Sequence, residues 1–187
     1  KRNTYNTVYQ FKVQLKHISI PIWRRFLISA NATFHDLHNA LQVIMGWEGG
    51  HSYRFYIKNP RTEEEFNVGH EHEPDMHNEY TEHIQDYISI KTQYIYYTYN
   101  IQKNWFHEII FETILPRNNC LQYPLCIKGQ NSAPPEICKG PDEYNRFLEI
   151  YKTPSHAEHS KSKSQFGDNF DPFSFTNNAY CPEESCK

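Results

Sequence analysis

The stretch YIYYTYNIQKNWFHEIIFETIL, residues 94–115, decides how this chain folds. Its first six residues and its last eleven are rich in aromatic and β-branched side chains, and the five between them (NIQKN) carry turn formers, so it reads as two strands joined by a longer-loop hairpin. In the second strand both faces are apolar, with Phe106, Ile110 and Ile114 on one side and Trp105, Ile109 and Phe111 on the other. A strand apolar on both faces belongs in the middle of a sheet rather than at its edge.

Upstream, residues 8–17 (VYQFKVQLKH) alternate strictly, with Tyr9, Phe11, Val13 and Leu15 on one face and Gln10, Lys12, Gln14 and Lys16 on the other. After Pro21 a second strand, IWRRFLIS, completes an amino-terminal hairpin. Thr33 then opens a helix: Asp36 three residues on forms a capping box with it, and Phe34, Leu37, Leu41 and Ile44 recur at helical spacing. Gly46 ends that helix, with Trp47 folding back on its last turn. A third strand, HSYRFYIK at 51–58, follows, with Tyr53, Phe55 and Ile57 on one side.

Residues 59–82 are acidic and His-rich and read as a solvated excursion holding at most a brief strand at 66–68; Ile84, Tyr87 and Ile88 suggest a short helix. Downstream of the hairpin, 116–140 reads as a loop rich in Pro and Cys. Pro141 starts a helix with a stripe of Tyr144, Phe147, Leu148 and Tyr151. The expected architecture is α+β: a mainly antiparallel sheet of about five strands against a helix after the second strand, with the later helix docked on it. The domain is expected to span 1–152, followed by a polar tail, 153–187, anchored by Phe170, Phe173 and Phe175.

Composition narrows the function. A formal net charge of −3 gives no global attraction to nucleic acid or anionic membrane, so any basic face must be local. There is no apolar run of about 18 residues and no signal-like apolar segment at the start, so a cytoplasmic location is expected. Five cysteines, an odd number in a chain long enough to bury a core, point to free or metal-bound thiols rather than a disulfide framework.

Four ordered blocks, YQFKVQLKHISIPIWRRFLIS, TFHDLHNALQVIMGWEGGHSYRF, YTYNIQKNWFHEIIFETILP and CIKGQNSAPPEICKGPDEYNRFL, with FDPFSF as a weaker fifth, resemble the plasmid pRiA4b ORF-3-like family. These domains of unknown function are common on plasmids, phages and insertion elements. The resemblance implies an α+β domain on a mainly antiparallel sheet and no agreed activity. Against the family pattern, Asn100 and Lys103 replace acidic groups, Gln102 replaces a turn glycine, Tyr53 replaces a histidine and Ala133 replaces a cysteine.

Four constellations could carry chemistry. Cys120, Cys126 and Cys138 share one loop and are the candidate zinc ligands, although no CxxC pair supplies the usual short spacing; no cofactor is expected, with zinc as the alternative. His70, His72, His77 and His83 lie among carboxylates in the acidic excursion, without a firm element to fix their geometry. His51 and His107, with Glu108 and Glu112 as orienting carboxylates, form a candidate hydrolase-like centre. Alternation, however, sends His107 and Glu112 to opposite faces. Lys12, Lys16, Arg24 and Arg25, with Tyr94, Tyr96 and Tyr97, could make a cationic aromatic surface for nucleic acid.

No phosphate loop, dinucleotide fingerprint, nucleophile elbow or HExxH helix is present. The expected function is therefore a non-enzymatic binding or adaptor module, mobile-element or plasmid associated, for a protein or nucleic-acid partner and without a membrane role. The rival is a metal-assisted or His/carboxylate hydrolase-like enzyme centred on His51 and His107. An enzyme should gather these groups in a concave pocket, and an adaptor should offer a flat or grooved patch.

Overall fold

The computed structural model describes residues 6–58, 62–69, 75–88 and 94–175. Strand β1 (Thr7–Leu15) and β2 (Ile22–Ser29) form the amino-terminal hairpin, and α1 (Phe34–Met45) follows. Then come β3 (Tyr53–Lys58), β4 (Glu65–Gly69), β5 (Met76–Asn78) and α2 (Ile84–Tyr87). The chain continues through β6 (Tyr94–Tyr99), β7 (Trp105–Pro116), β8 (Leu125–Gln130), α3 (Pro141–Tyr151) and α4 (His159–Phe166).

The strands form one sheet in the order β5-β4-β3-β6-β7-β1-β2-β8. Every pairing is antiparallel except β4 with β5, which is parallel. This corrects the expected sheet of about five antiparallel strands: there are eight among the described residues, in a mixed sheet, with four helices. The additional strands arise where composition points to loop, although β4 contains the brief strand expected at 66–68. β4 and β5 come from the His-rich excursion, and β8 comes from the segment read as a Pro/Cys loop.

The β6–β7 hairpin occupies the middle of the sheet, with β6 against β3 and β7 against β1. The core face of β7 carries the buried Trp105, His107 and Ile109, while Phe106, Glu108 and Ile110 are half-buried on the other face. Tyr9, Phe11, Val13 and Leu15 of β1 point to the core with Phe55, Tyr97, Trp105 and Ile109. Phe34, Leu37 and Leu41 of α1 and Tyr144, Phe147 and Leu148 of α3 close the same core from above. Truncating a fully buried leucine such as Leu37 to alanine costs about 2–5 kcal/mol.

The ends of α1 follow from its sequence. Thr33 Oγ1 accepts from the Asp36 amide while the Asp36 carboxylate accepts from the Thr33 amide, completing the capping box. At the other end Gly46 takes φ 75°, the Gly46 amide bonds Val43 O, and the Trp47 amide bonds Gln42 O. That pattern satisfies carbonyls the last turn would leave bare. The segment after residue 153 includes α4, whose Phe166 packs on Phe147 of α3 with ring centroids 4.3 Å apart.

Candidate functional site

Alternation gives the sheet two unlike faces. One lies under α1 and α3; the other, the open face, carries no helix among the described residues and is covered at one end, where Val8, Leu27 and Leu125 are buried with Leu121 and Tyr123. On the open face Tyr56 of β3 stands opposite Tyr96 of β6, Tyr96 opposite Glu108 of β7, and Glu108 opposite Gln14 of β1. The rings form a continuous run. Tyr94 and Tyr96 stack at 6.5 Å with planes 11° apart, Tyr96 and Phe106 at 5.7 Å and 13°, and Tyr56 flanks Tyr96 at 6.1 Å. Tyr94 is 42% exposed, so the end of the run is available to a partner.

Cations lie on the same face, gathered around Trp23 of β2. Lys12 Nζ lies 5.0 Å from the Trp23 ring centroid and the Arg25 guanidinium 5.6 Å from it, while Trp23 Nε1 donates to Gln130 Oε1. Lys16 reaches Glu108 at 3.6 Å. Arg25 is held by a backbone irregularity: β1 pairs Gln10 with Thr113 but Phe11 with Phe111, leaving Glu112 as the extra residue of a bulge. Glu112 accepts two hydrogen bonds from Arg25, at 2.7 and 2.8 Å, and one from Gln10 Nε2 at 2.7 Å. The bond from Arg25 pulls the Glu112 carboxyl below its ordinary pKa and raises that of Arg25 in turn.

Two residues of the cationic aromatic set fall elsewhere. Arg24 points to the covered face, 4% exposed, where it donates to the carbonyls of Ile44, Trp23 and Gln130, and its guanidinium lies 4.5 Å from the Phe175 ring. Burial lowers its pKa to about 10. Tyr97 is fully buried on that same side, so Lys12, Lys16 and Arg25 with Tyr94 and Tyr96 are the members that share the open face.

The histidine and carboxylate set does not converge. His107 is fully buried, its Nδ1 bonded to Tyr97 O at 3.3 Å and its ring edge-on to Trp47. Burial takes its pKa down to about 4. Glu108 and Glu112 lie across the sheet with Lys16 and Arg25, as strand alternation required. His51 is exposed and edge-on to Tyr99, whose hydroxyl donates to Glu136 at 2.6 Å.

Nor do the cysteines gather. Cys120 is exposed, whereas Cys126 and Cys138 are buried with their thiols on the carbonyls of Lys128 and Gly140. Among the described residues no group of three His, Cys, Asp or Glu side chains is placed to hold a metal ion. His70 and His72, like Cys181 and Cys186, lie outside the described residues. His77 approaches Glu82 at 3.4 Å, and His83 Nδ1 bonds Asn31 O, so those two serve local structure. No helix among the described residues is long and apolar enough to cross a membrane.

The reading of the sequence missed a buried polar cluster on the covered face. His38 of α1 stacks flat on Tyr53 of β3, with centroids 3.6 Å apart and planes 5° apart. His38 Nδ1 lies at hydrogen-bond distance, 2.7 Å, from the Tyr97 hydroxyl, and that hydroxyl accepts from Gln42 Nε2 at 2.9 Å. Burial, with His35 nearby, lowers the His38 pKa to about 4, and burial raises that of Tyr97, so both are neutral near pH 7. The available signal was His38 and Gln42, four apart, beside the apolar stripe of α1.

The family description "Plasmid pRiA4b ORF-3-like protein" matches residues 7–179. A curated relative from Sinorhizobium fredii, the uncharacterized protein y4hQ, is 26% identical over 159 residues, covering 83% of this chain and 79% of that protein. The crystal structure of a protein of unknown function, MM3350 from Methanosarcina mazei Go1, superposes with a TM-score of 0.87 at 35% identity. That match covers 93% of this chain and 97% of the other. On the extent of these matches, the chain belongs to the plasmid pRiA4b ORF-3-like family, whose function is unknown.

Proposed function

We propose that this domain is a non-enzymatic binding module that takes single-stranded nucleic acid on the open face of its sheet. The observation that supports it best is the run of near-parallel rings Tyr94, Tyr96 and Phe106 on the same face as Lys12, Lys16 and Arg25. Bases stack on exposed rings whatever their sequence, and neighbouring cations follow the phosphates. A cytoplasmic setting on a plasmid or other mobile element would supply such strands. With a formal charge of −3 on the chain, the attraction must be local to this face, and its phosphate contacts would make the binding sensitive to salt.

The hydrolase-like alternative on His51 and His107 has less in its favour. A general base must reach its substrate, and the carboxylates meant to orient His107 lie on the other side of the sheet.

The test is fluorescence anisotropy with labelled 15-nucleotide DNA and RNA at 50 mM and 200 mM salt. Tyr96→Ala and Lys12→Glu should each weaken binding at least fivefold, and contact with about three phosphates gives a log–log salt slope of about −2. Arg24→Met should leave the affinity unchanged. If no binding is seen at 50 mM salt, or Tyr96→Ala binds as the parent does, the proposal is wrong; a protein captured on this face instead would make the module an adaptor.

A further inference from the structure

A cleft of about 610 Å³ opens between α1, the turn at residues 46–52 and the start of β3, on the opposite side of the sheet from the tyrosine run. Its volume lies in the range of small-molecule sites, roughly 300–1,000 Å³. Two members of the polar cluster, His38 and Gln42, line it, and Tyr97 is hydrogen-bonded to both. His38 and Gln42 are each only 5% exposed, and Gln42 Oε1 has no hydrogen-bond partner among the described residues.

A buried amide oxygen left without a donor costs about 1–3 kcal/mol. Such groups are found in native proteins where something else completes them. The direction of the hydrogen bonds defines what that something must offer. Gln42 Nε2 donates to the Tyr97 hydroxyl, so the hydroxyl proton goes to His38 Nδ1 and the imidazole proton sits on Nε2. His38 Nε2–H and the Gln42 C=O, four residues apart on α1 and both on residues that line the cleft, are thus the groups left for a ligand to complete, the carbonyl oxygen being itself buried.

Shape and charge narrow the class further. The walls are flat: the His38 ring lies on Tyr53, and the His35 ring lies 4.3 Å from that of Tyr80 at 31°. No lysine or arginine lines the cleft and the carboxylate of Glu48 does, so a carboxylate or phosphate entering it would lose hydration and meet a like charge instead of a cation. We infer that this cleft binds a small, neutral, planar heterocycle through a ring amide, its C=O accepting from His38 and its N–H donating to Gln42. Nucleobases and other lactams belong to this class. The inference does not depend on the open face of the sheet.

The test uses the full chain with uracil and 2-pyridone as probes, followed by NMR titration or calorimetry. 2-Methoxypyridine, which keeps the ring and lacks the N–H, and benzoate, which carries a charge, are the controls. Ligands this small reach dissociation constants of about 1 mM or below only in a matched site. Uracil or 2-pyridone should saturate below about 1 mM, and 2-methoxypyridine and benzoate should bind at least tenfold more weakly. Gln42→Leu should weaken the lactams at least tenfold, and Tyr80→Ala, at an exposed position, severalfold. Should Gln42→Leu fail to fold, the Tyr80→Ala and 2-methoxypyridine comparisons decide. Absence of saturation by either lactam up to about 10 mM overturns the inference, as does equal binding of 2-methoxypyridine, of benzoate or by a folded Gln42→Leu protein.

Discussion

Acidification should destabilise this protein through two histidines before its carboxylates titrate. His38 and His107 are both buried, and burial lowers each pKa from 6.5 to about 4. Between these values the unfolded chain holds a proton on each ring that the folded protein does not, so stability falls as pH drops from about 6.5 towards 4 and is retained above 6.5. With the shift given, each histidine removes roughly 2 kcal/mol at pH 5 relative to pH 8. Together they remove about 4 kcal/mol, a large share of the 5–15 kcal/mol typical of a domain. Urea denaturation at half-unit steps from pH 7.5 to 5 should show stability nearly level above pH 7 and then falling by roughly 2 kcal/mol per pH unit between 6 and 5. His107→Phe should halve that slope. A urea midpoint that stays constant from pH 7 to 5, or a slope untouched by His107→Phe, would refute the reasoning.

Two further substitutions test the framework of the fold. Gly46→Ala places a β-carbon at φ 75° where no atom lies within 4 Å, so its cost of about 1 kcal/mol is purely conformational and should appear as a lower urea midpoint with unchanged slope. Arg24→Met keeps the buried length but leaves the Ile44 and Gln130 carbonyls without their donor; a loss of about 2–3 kcal/mol in thermal or urea denaturation is expected, and a neutral result would mean those bonds contribute little.

The sequence was legible wherever one period ran uninterrupted. Tyr9 to Leu15 alternated cleanly, and Phe34, Leu37, Leu41 and Ile44 repeated between a Thr33 cap and a Gly46 stop, so β1 and α1 could be read directly. β8 was hidden because its pairing skips Ile127: Phe26 faces Cys126 and Arg25 faces Lys128, which breaks the alternation in six residues that already include a glycine. β4 showed only as the brief strand expected at 66–68, and β5 was hidden, because five and three residues are too few to show a full period and their acidic and His-rich surroundings resemble solvated chain. The open face was partly readable, since alternation separates Lys12 from Val13 but cannot reveal that Arg24, rather than Arg25, turns inward. The cleft was not readable at all. It requires Tyr53, Tyr97 and Gln42, each ordinary in its own segment, to meet across three elements.

The order of strands has a consequence for how the chain is made. β1 and β3 are never hydrogen-bonded to each other; the β6–β7 hairpin, translated much later, is inserted between them. Until residues 94–116 emerge from the ribosome, both earlier strands keep an unmated edge, the kind of surface on which nascent chains stick to one another. Closure then depends on contacts about a hundred residues apart, such as Phe11 with Phe111, which places this protein among the slower folders and gives chaperones a reason to hold its first half.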